Sequence, residues 1–129
     1  MPFSTSAKQV MLDAIETDLA DAAIVRLHTG DPGAAGTANT LAEGNGYAHL
    51  TGASFTRTGV TLASDKALVP GVRTGGGDQI ITHVSVWKSG ATPAFRMSAQ
   101  LAAPVTYAVG GLPPGFDIGA LSATITDPA

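Results

Sequence analysis

Apolar residues recur with a period of two along most of this chain, and short Gly- or Pro-rich turns separate the recurrences. Val25 and Leu27 oppose Arg26 and His28 over residues 23–29, the pattern of a half-buried strand. Ile80, Thr82, Val84 and Val86 oppose Ile81, His83, Ser85 and Trp87; both faces are largely apolar, as in a central strand. Phe95, Met97, Ala99 and Leu101 alternate with Arg96, Ser98 and Gln100, and Val105, Tyr107 and Val109 repeat the pattern. Leu121, Ala123 and Ile125 oppose Ser122, Thr124 and Thr126 at the end. Residues 47–50 and 53–62 add strand segments, with Gly52 as a bulge, Phe55 in the core and Arg57 at its edge. Such repetition predicts a mainly β fold, a β-sandwich or jelly-roll-like arrangement over about residues 23–126.

One segment breaks the period. Met11, Ile15, Leu19 and Ala22 fall at helical spacing, and Ser6 and Gln9 have the form of a capping box before them. The spacing predicts one N-terminal amphipathic helix over about residues 6–20, lying against one side of the strands. Its acids Asp13, Glu16, Asp18 and Asp21 read as a face that is solvated or meets a partner. With no internal repeat and no linker, residues 1–129 read as a single domain.

Two long irregular stretches interrupt the strands. Asp31-Pro32-Gly33 stops the first strand, because Pro fixes its φ and has no N–H, while Gly takes positive φ freely. From Gly33 to Gly46 the chain then has little to bury, and Arg26, His28 and Asp31 read as the residues that hold the start of this loop. Ser64–Asp78, with Pro70-Gly71 and Gly75-Gly76-Gly77, reads as a second, flexible excursion. Loops of this length commonly carry function.

Charge and chemistry exclude more than they suggest. Charged residues make up 13% of the chain, against about 25% in an average domain. A surface built from Thr, Ser, Ala and Gly suits a subunit buried against others. Seven scattered Lys and Arg and a net charge of -3 argue against nucleic acid, which needs basic groups gathered on one face. There is no cysteine, hence no disulfide or thiol chemistry. No run approaches the roughly 20 apolar residues of a membrane span, and the first residues lack the form of a signal peptide. His28, His49 and His83 show no metal-ligand spacing, and no Gly-x-Ser-x-Gly elbow or phosphate loop occurs. The expectation is a non-enzyme without a metal or cofactor.

Four stretches together resemble a group of small tailed-bacteriophage virion proteins, described as minor tail, tail-fibre-like or capsid-associated. They are Leu27-His28-Thr29-Gly30-Asp31-Pro32-Gly33, Gly44-Asn45-Gly46-Tyr47-Ala48, Thr82-His83-Val84-Ser85-Val86-Trp87 and Ala99-Gln100-Leu101-Ala102-Ala103-Pro104-Val105-Thr106. The sequence departs from that pattern at His49, where Arg is common, and in a longer segment from Asp65 to Asp78. The resemblance implies a virion structural protein, tail-associated or capsid-attached, with other virion proteins as partners and no catalytic residues. It also implies a protein made in the host cytoplasm and ending in the virion. A homo-oligomer of cyclic symmetry, a trimer, is the expected state. The loops supply the expected assembly contacts: Asp31, Pro32, Asn39, Tyr47, Val69 and Arg73. A capsid decoration protein and a β-sandwich module binding receptor or carbohydrate are the rival readings. Tyr47 and Trp87 are candidate anchors, although core burial suits both.

Overall fold

The computed structural model describes residues 2–117 and 119–125. The Thr126 end of the expected last strand lies outside them.

Helix α1 runs Thr5–Leu19. Its N-cap is Ser4, which is extended (φ -66°, ψ 157°) and accepts from the Ala7 amide at 3.0 Å. The expected Ser6/Gln9 box is therefore displaced: Ser6 already lies inside the first turn, where its amide and carbonyl belong to the helix. Leu12 and Leu19 are buried, and Ala20 ends the helix at φ 51°, its N–H bonded to the Glu16 carbonyl.

Seven strands follow: β1 (Ala23–His28), β2 (Leu50–Ala53), β3 (Phe55–Thr58), β4 (Thr61–Ser64), β5 (Gln79–Lys88), β6 (Ala94–Tyr107) and β7 (Ser122–Thr124). They form two antiparallel sheets, one ordered β2-β1-β5-β6 and one ordered β3-β4-β7. The mainly β architecture and the single N-terminal helix match the reading of the sequence. The segment 53–62 is not one strand, because Gly59 (φ 61°) turns it back into the β3–β4 hairpin. β2 carries the bulge at Gly52 (φ 71°): Ala23 pairs with Ala53 but Val25 pairs with Leu50.

β6 is continuous where two strands were expected, and two bulges interrupt its ladder. Val86 faces Met97 while Trp87 faces Phe95, so Arg96 is an extra residue. Ile81 faces Val105 while His83 faces Gln100, which leaves Leu101–Pro104 opposite Thr82 alone. Pro104 is tolerated there because β6 is an edge strand and the bulge asks for no N–H.

The registers give the larger sheet two distinct faces. Val25, Leu27, Val84 and Val86 point to one side, toward the helix and the smaller sheet. Phe55, Leu62 and Leu121 meet them there with Leu12 and Leu19 in a common hydrophobic core. Ile24, Arg26 and His28, with Trp87, Ser85 and His83 across from them, point to the other side.

Three helix acids clamp α1 to the strands. Asp13 accepts from Arg57 Nε, and Glu16 accepts from the Arg57 amide at 2.8 Å. Asp18 bonds Arg96 Nε at 2.6 Å and lies 3.2 Å from Lys88 Nζ. The Arg96 hydrogen bond, supported by Lys88, holds the Asp18 carboxyl below its usual range. Asp13, Glu16 and Asp18 thus find cations and an amide within this chain, while Asp13 stays exposed to solvent.

Packing predicts the cost of truncation. Leu12 is 0% exposed and Val10 is 65% exposed. Leu12→Ala should destabilise by about 2–5 kcal/mol, whereas Val10→Ala should change stability by about 0.5 kcal/mol or less, both measured by chemical denaturation.

Candidate functional site: two latched loops on one sheet face

The face of the larger sheet turned away from the helix is covered by loops, and its centre is His28. The imidazole is fully buried. Nδ1 lies 2.8 Å from the Ala38 carbonyl and Nε2 lies 2.6 Å from Ser85 Oγ. A carbonyl only accepts, so Nδ1 carries the proton. In the neutral ring Nε2 then accepts from the Ser85 hydroxyl, which itself accepts from Trp87 Nε1 at 2.8 Å. The donors therefore run in one direction, Trp87 to Ser85 to His28 to Ala38. Burial pushes the His28 pKa down, and neighbouring His83 and Arg26 push it the same way, against the Ala38 bond. Ser85 and His28 make a Ser–His pair, but both are 0% exposed and the hydroxyl is taken by Trp87. The pair is a fastening.

That fastening fixes the middle of the first loop, and several local bonds shape the rest. Asp31 Oδ1 accepts from the Gly33 amide at 2.8 Å, an Asx-turn. Asn39, at φ 56°, donates to the Asp31 carbonyl at 3.0 Å, while its own carbonyl accepts from Thr29 N–H at 3.0 Å. Gly36 sits at φ 74° directly against Phe95, where a Cβ would collide with the ring. Phe95 packs on Trp87 with ring centres 5.3 Å apart, and the Arg26 guanidinium lies 4.0 Å from the Trp87 ring centre. His28 and Asp31 hold the loop as expected. Arg26 does not; it stacks on Trp87 instead.

The second loop carries hydrogen bonds of its own and crosses the end of the first. Asn45 and Gly46 both have positive φ, closing a tight turn in which Gly44 and Tyr47 exchange backbone bonds of 2.8 and 2.9 Å. Gly46 and Gly71 let the two loops cross backbone to backbone, and Thr74 N–H donates to the Asn45 carbonyl at 2.8 Å. Arg73 is buried, with Nε donating to the Gly77 carbonyl at 2.7 Å and the guanidinium 5.7 Å from the Tyr107 ring centre. Tyr107 O–H donates to the Gly71 carbonyl. Leu68 and Phe116 exchange backbone bonds of 2.8 Å. Here the glycines permit close backbone crossings.

Tyr47 joins the loops to the sheet. Its hydroxyl accepts from the Leu27 amide at 3.1 Å, beyond the point where β2 stops pairing with β1, and meets His49 Nδ1 at 3.2 Å. Burial raises its pKa to about 12. Its ring stands edge-on to Tyr107, centres 6.0 Å apart. His49 is likewise held below the usual imidazole range by burial, with Glu43 opposing the shift.

The six expected contact residues divide evenly. Asp31, Asn39 and Val69 are exposed, Val69 at 62%. Pro32, Tyr47 and Arg73 are buried and act on the fold of the loops. The structure gathers Asp31, Pro32 and Asn39 into one loop, and Tyr47 and Arg73 against Tyr107. Trp87 is buried as well. Sequence reading missed Ser85, Gly36 and the Arg26–Trp87 stack. The Asn45-Gly46 dipeptide was the one legible signal of a tight turn. Among the described residues no three His, Asp or Glu side chains are placed to hold a metal ion.

The buried imidazole predicts an acid-sensitive structure. Its folded pKa lies below the ordinary 6.5, so its contribution is complete above pH 6.5. As pH falls through that value the unfolded chain gains a proton that the folded chain refuses, and stability drops until the folded ring protonates. Denaturation midpoints measured from pH 7.5 to 5 should fall, and His28→Gln should flatten the profile to the part due to His49. Ser85→Ala leaves two buried groups without a partner and should cost about 1–3 kcal/mol.

Comparison with known proteins places this architecture in a family. No curated protein is a significant match to the chain. A family model described as Podophage GP4 fiber I protein gp80 (Gp80) matches residues 2–124. The chain therefore belongs to the Gp80 family of podophage fibre I proteins.

Proposed function

We propose that this protein is a tail-associated structural subunit of a phage virion, held by contacts to neighbouring virion proteins and acting through assembly. The observation that carries the reading is the family match over residues 2–124 to a podophage fibre protein. A fibre family favours the tail over capsid decoration. The chain acts as one domain and as a homo-oligomer, with a trimer as the expected state. Its attachment surface comprises the exposed parts of the two latched loops, with Asp31, Asn39 and Val69 as the contact residues. Pro32, Tyr47 and Arg73 shape that surface from beneath. Support comes from the way the loops are built: buried His28, Arg73 and Tyr107 hold irregular backbone in defined positions, as a docking surface requires.

A glycan-binding module gains no comparable support. Sugar recognition relies on exposed aromatic faces, and Tyr47, Tyr107 and Trp87 are all buried. A catalytic role draws no support from the buried Ser85–His28 pair.

Two measurements test the reading. Immunolabelling should find the protein on intact virions, and its mass in solution should exceed that of one chain. A monomer absent from particles overturns the proposal. Val69→Asp places a charge on an exposed apolar contact and should lower incorporation about tenfold or more, with folding unchanged within about 0.5 kcal/mol.

A further inference from the structure

The chain holds four arginines, and three find acceptors within it. Arg57 pairs with Asp13, Arg96 pairs with Asp18, and Arg73 donates to the Gly76 and Gly77 carbonyls. Arg26 is different. Its Nε is buried without a hydrogen-bond partner, and among the described residues no carboxylate stands within ion-pair distance of it. A guanidinium brings five N–H donors in a fixed plane, and an unmet buried donor of a charged group is expensive. The side chain is nevertheless held in place, its Cζ 4.0 Å from the centre of the Trp87 ring, which Phe95 and Ser85 fix in turn.

Its near neighbours are imidazoles. His28 follows on the same face of β1, and His83 faces His28 across the sheet. His49 and His28 both feel the Arg26 charge. The acid of this neighbourhood, Glu43, is engaged with His49: it accepts from the His49 amide at 3.0 Å and lies 3.9 Å from Nε2. Arg26 itself is partly exposed. A stacked, partly accessible guanidinium that makes no ion pair with any described carboxylate can receive a planar oxyanion at its exposed end.

We infer that Arg26, stacked on Trp87, is an acceptor site for a carboxylate, and that a neighbouring virion subunit supplies it. Two parallel N–H···O bonds match the guanidinium edge to a carboxylate, and the flat Trp87 ring sets the plane in which they form. The source of the carboxylate rests on the proposed virion role; the site itself does not. The buried Nε lies out of a partner's reach, so the incoming carboxylate meets the terminal N–H groups at the partly exposed end of the side chain.

Trp87 is the single tryptophan of the chain and lies under the guanidinium, so its fluorescence reports on the site. Sodium acetate titrated at constant ionic strength against sodium chloride should shift the emission of the full chain saturably. Arg26→Gln should abolish the shift, and Arg26→Lys, which keeps the charge without the planar fork, should weaken apparent affinity about tenfold. Circular dichroism on each variant verifies the fold, and the Lys variant carries the test if the Gln variant fails to fold. No saturable response in the wild type, or an undiminished response in the variants, overturns the site. In particles, wild type should be incorporated and folded Arg26→Gln should fall about tenfold. Full incorporation of Arg26→Gln beside a specific acetate response overturns the subunit source and makes the ligand a free anion. Absence of the wild type from particles removes the virion role and the subunit source with it, while the acetate arm still decides the site.

Discussion

A sheet buried on both faces needs cover on both, and here the second cover is irregular backbone. Helices and sheets satisfy their own amides and carbonyls; loops laid over a sheet do not. The buried imidazole of His28 resolves much of that difficulty for the first loop. It joins the Ala38 carbonyl to the Ser85 and Trp87 side chains in one directed series, so the loop is held by β5 as well as by its own turns. Arg73 and Tyr107 do the same for the second loop, offering donors to carbonyls that no strand reaches. The irregular backbone on this face is therefore hydrogen-bonded to side chains of the sheet beneath it.

Function in this chain follows from how that cover is divided. The helix and the smaller sheet take the apolar face of the larger sheet, and the acids of the helix are consumed in holding it there. What remains outward is a surface of loops that carries exposed Val69, Val72 and Leu112 among small polar residues, in a member of a fibre family. The protein's low charge and its internal ion pairs are two aspects of one economy. The Arg57 and Arg96 guanidinium groups are paired with helix acids, and Arg26 stands out against that background.

The strands were legible because alternation is a local property. β1 and β5 could be read residue by residue, since each face shows in the next pair of side chains. In β6 the bulge at Arg96 puts Phe95 on the Trp87 face and Met97 on the Val86 face, where alternation predicts both inward. The cap was missed by two residues, because Ser4 and Ser6 offer the same hydroxyl and only the path of the chain decides between them. The β3–β4 turn was missed because Gly59 sits in a run that otherwise alternates. Most of the site was illegible for a different reason. His28 meets Ser85 across 57 residues, and Arg57 meets Asp13 across 44, so no window of sequence contains both partners. Composition was silent on the crossing of the two loops, where the Val72 carbonyl passes close to Gly46.

The bulges of β6 have a consequence for any particle that contains many copies. An open sheet edge invites the next chain to extend the ladder without limit. At Leu101–Pro104 four residues stand opposite one, and Pro104 presents no N–H, so a foreign strand loses register midway along β6. Arg96 breaks the ladder again near the other end and is turned toward the helix. Strand addition along β6 is thereby disfavoured, whatever number of copies lies beside it.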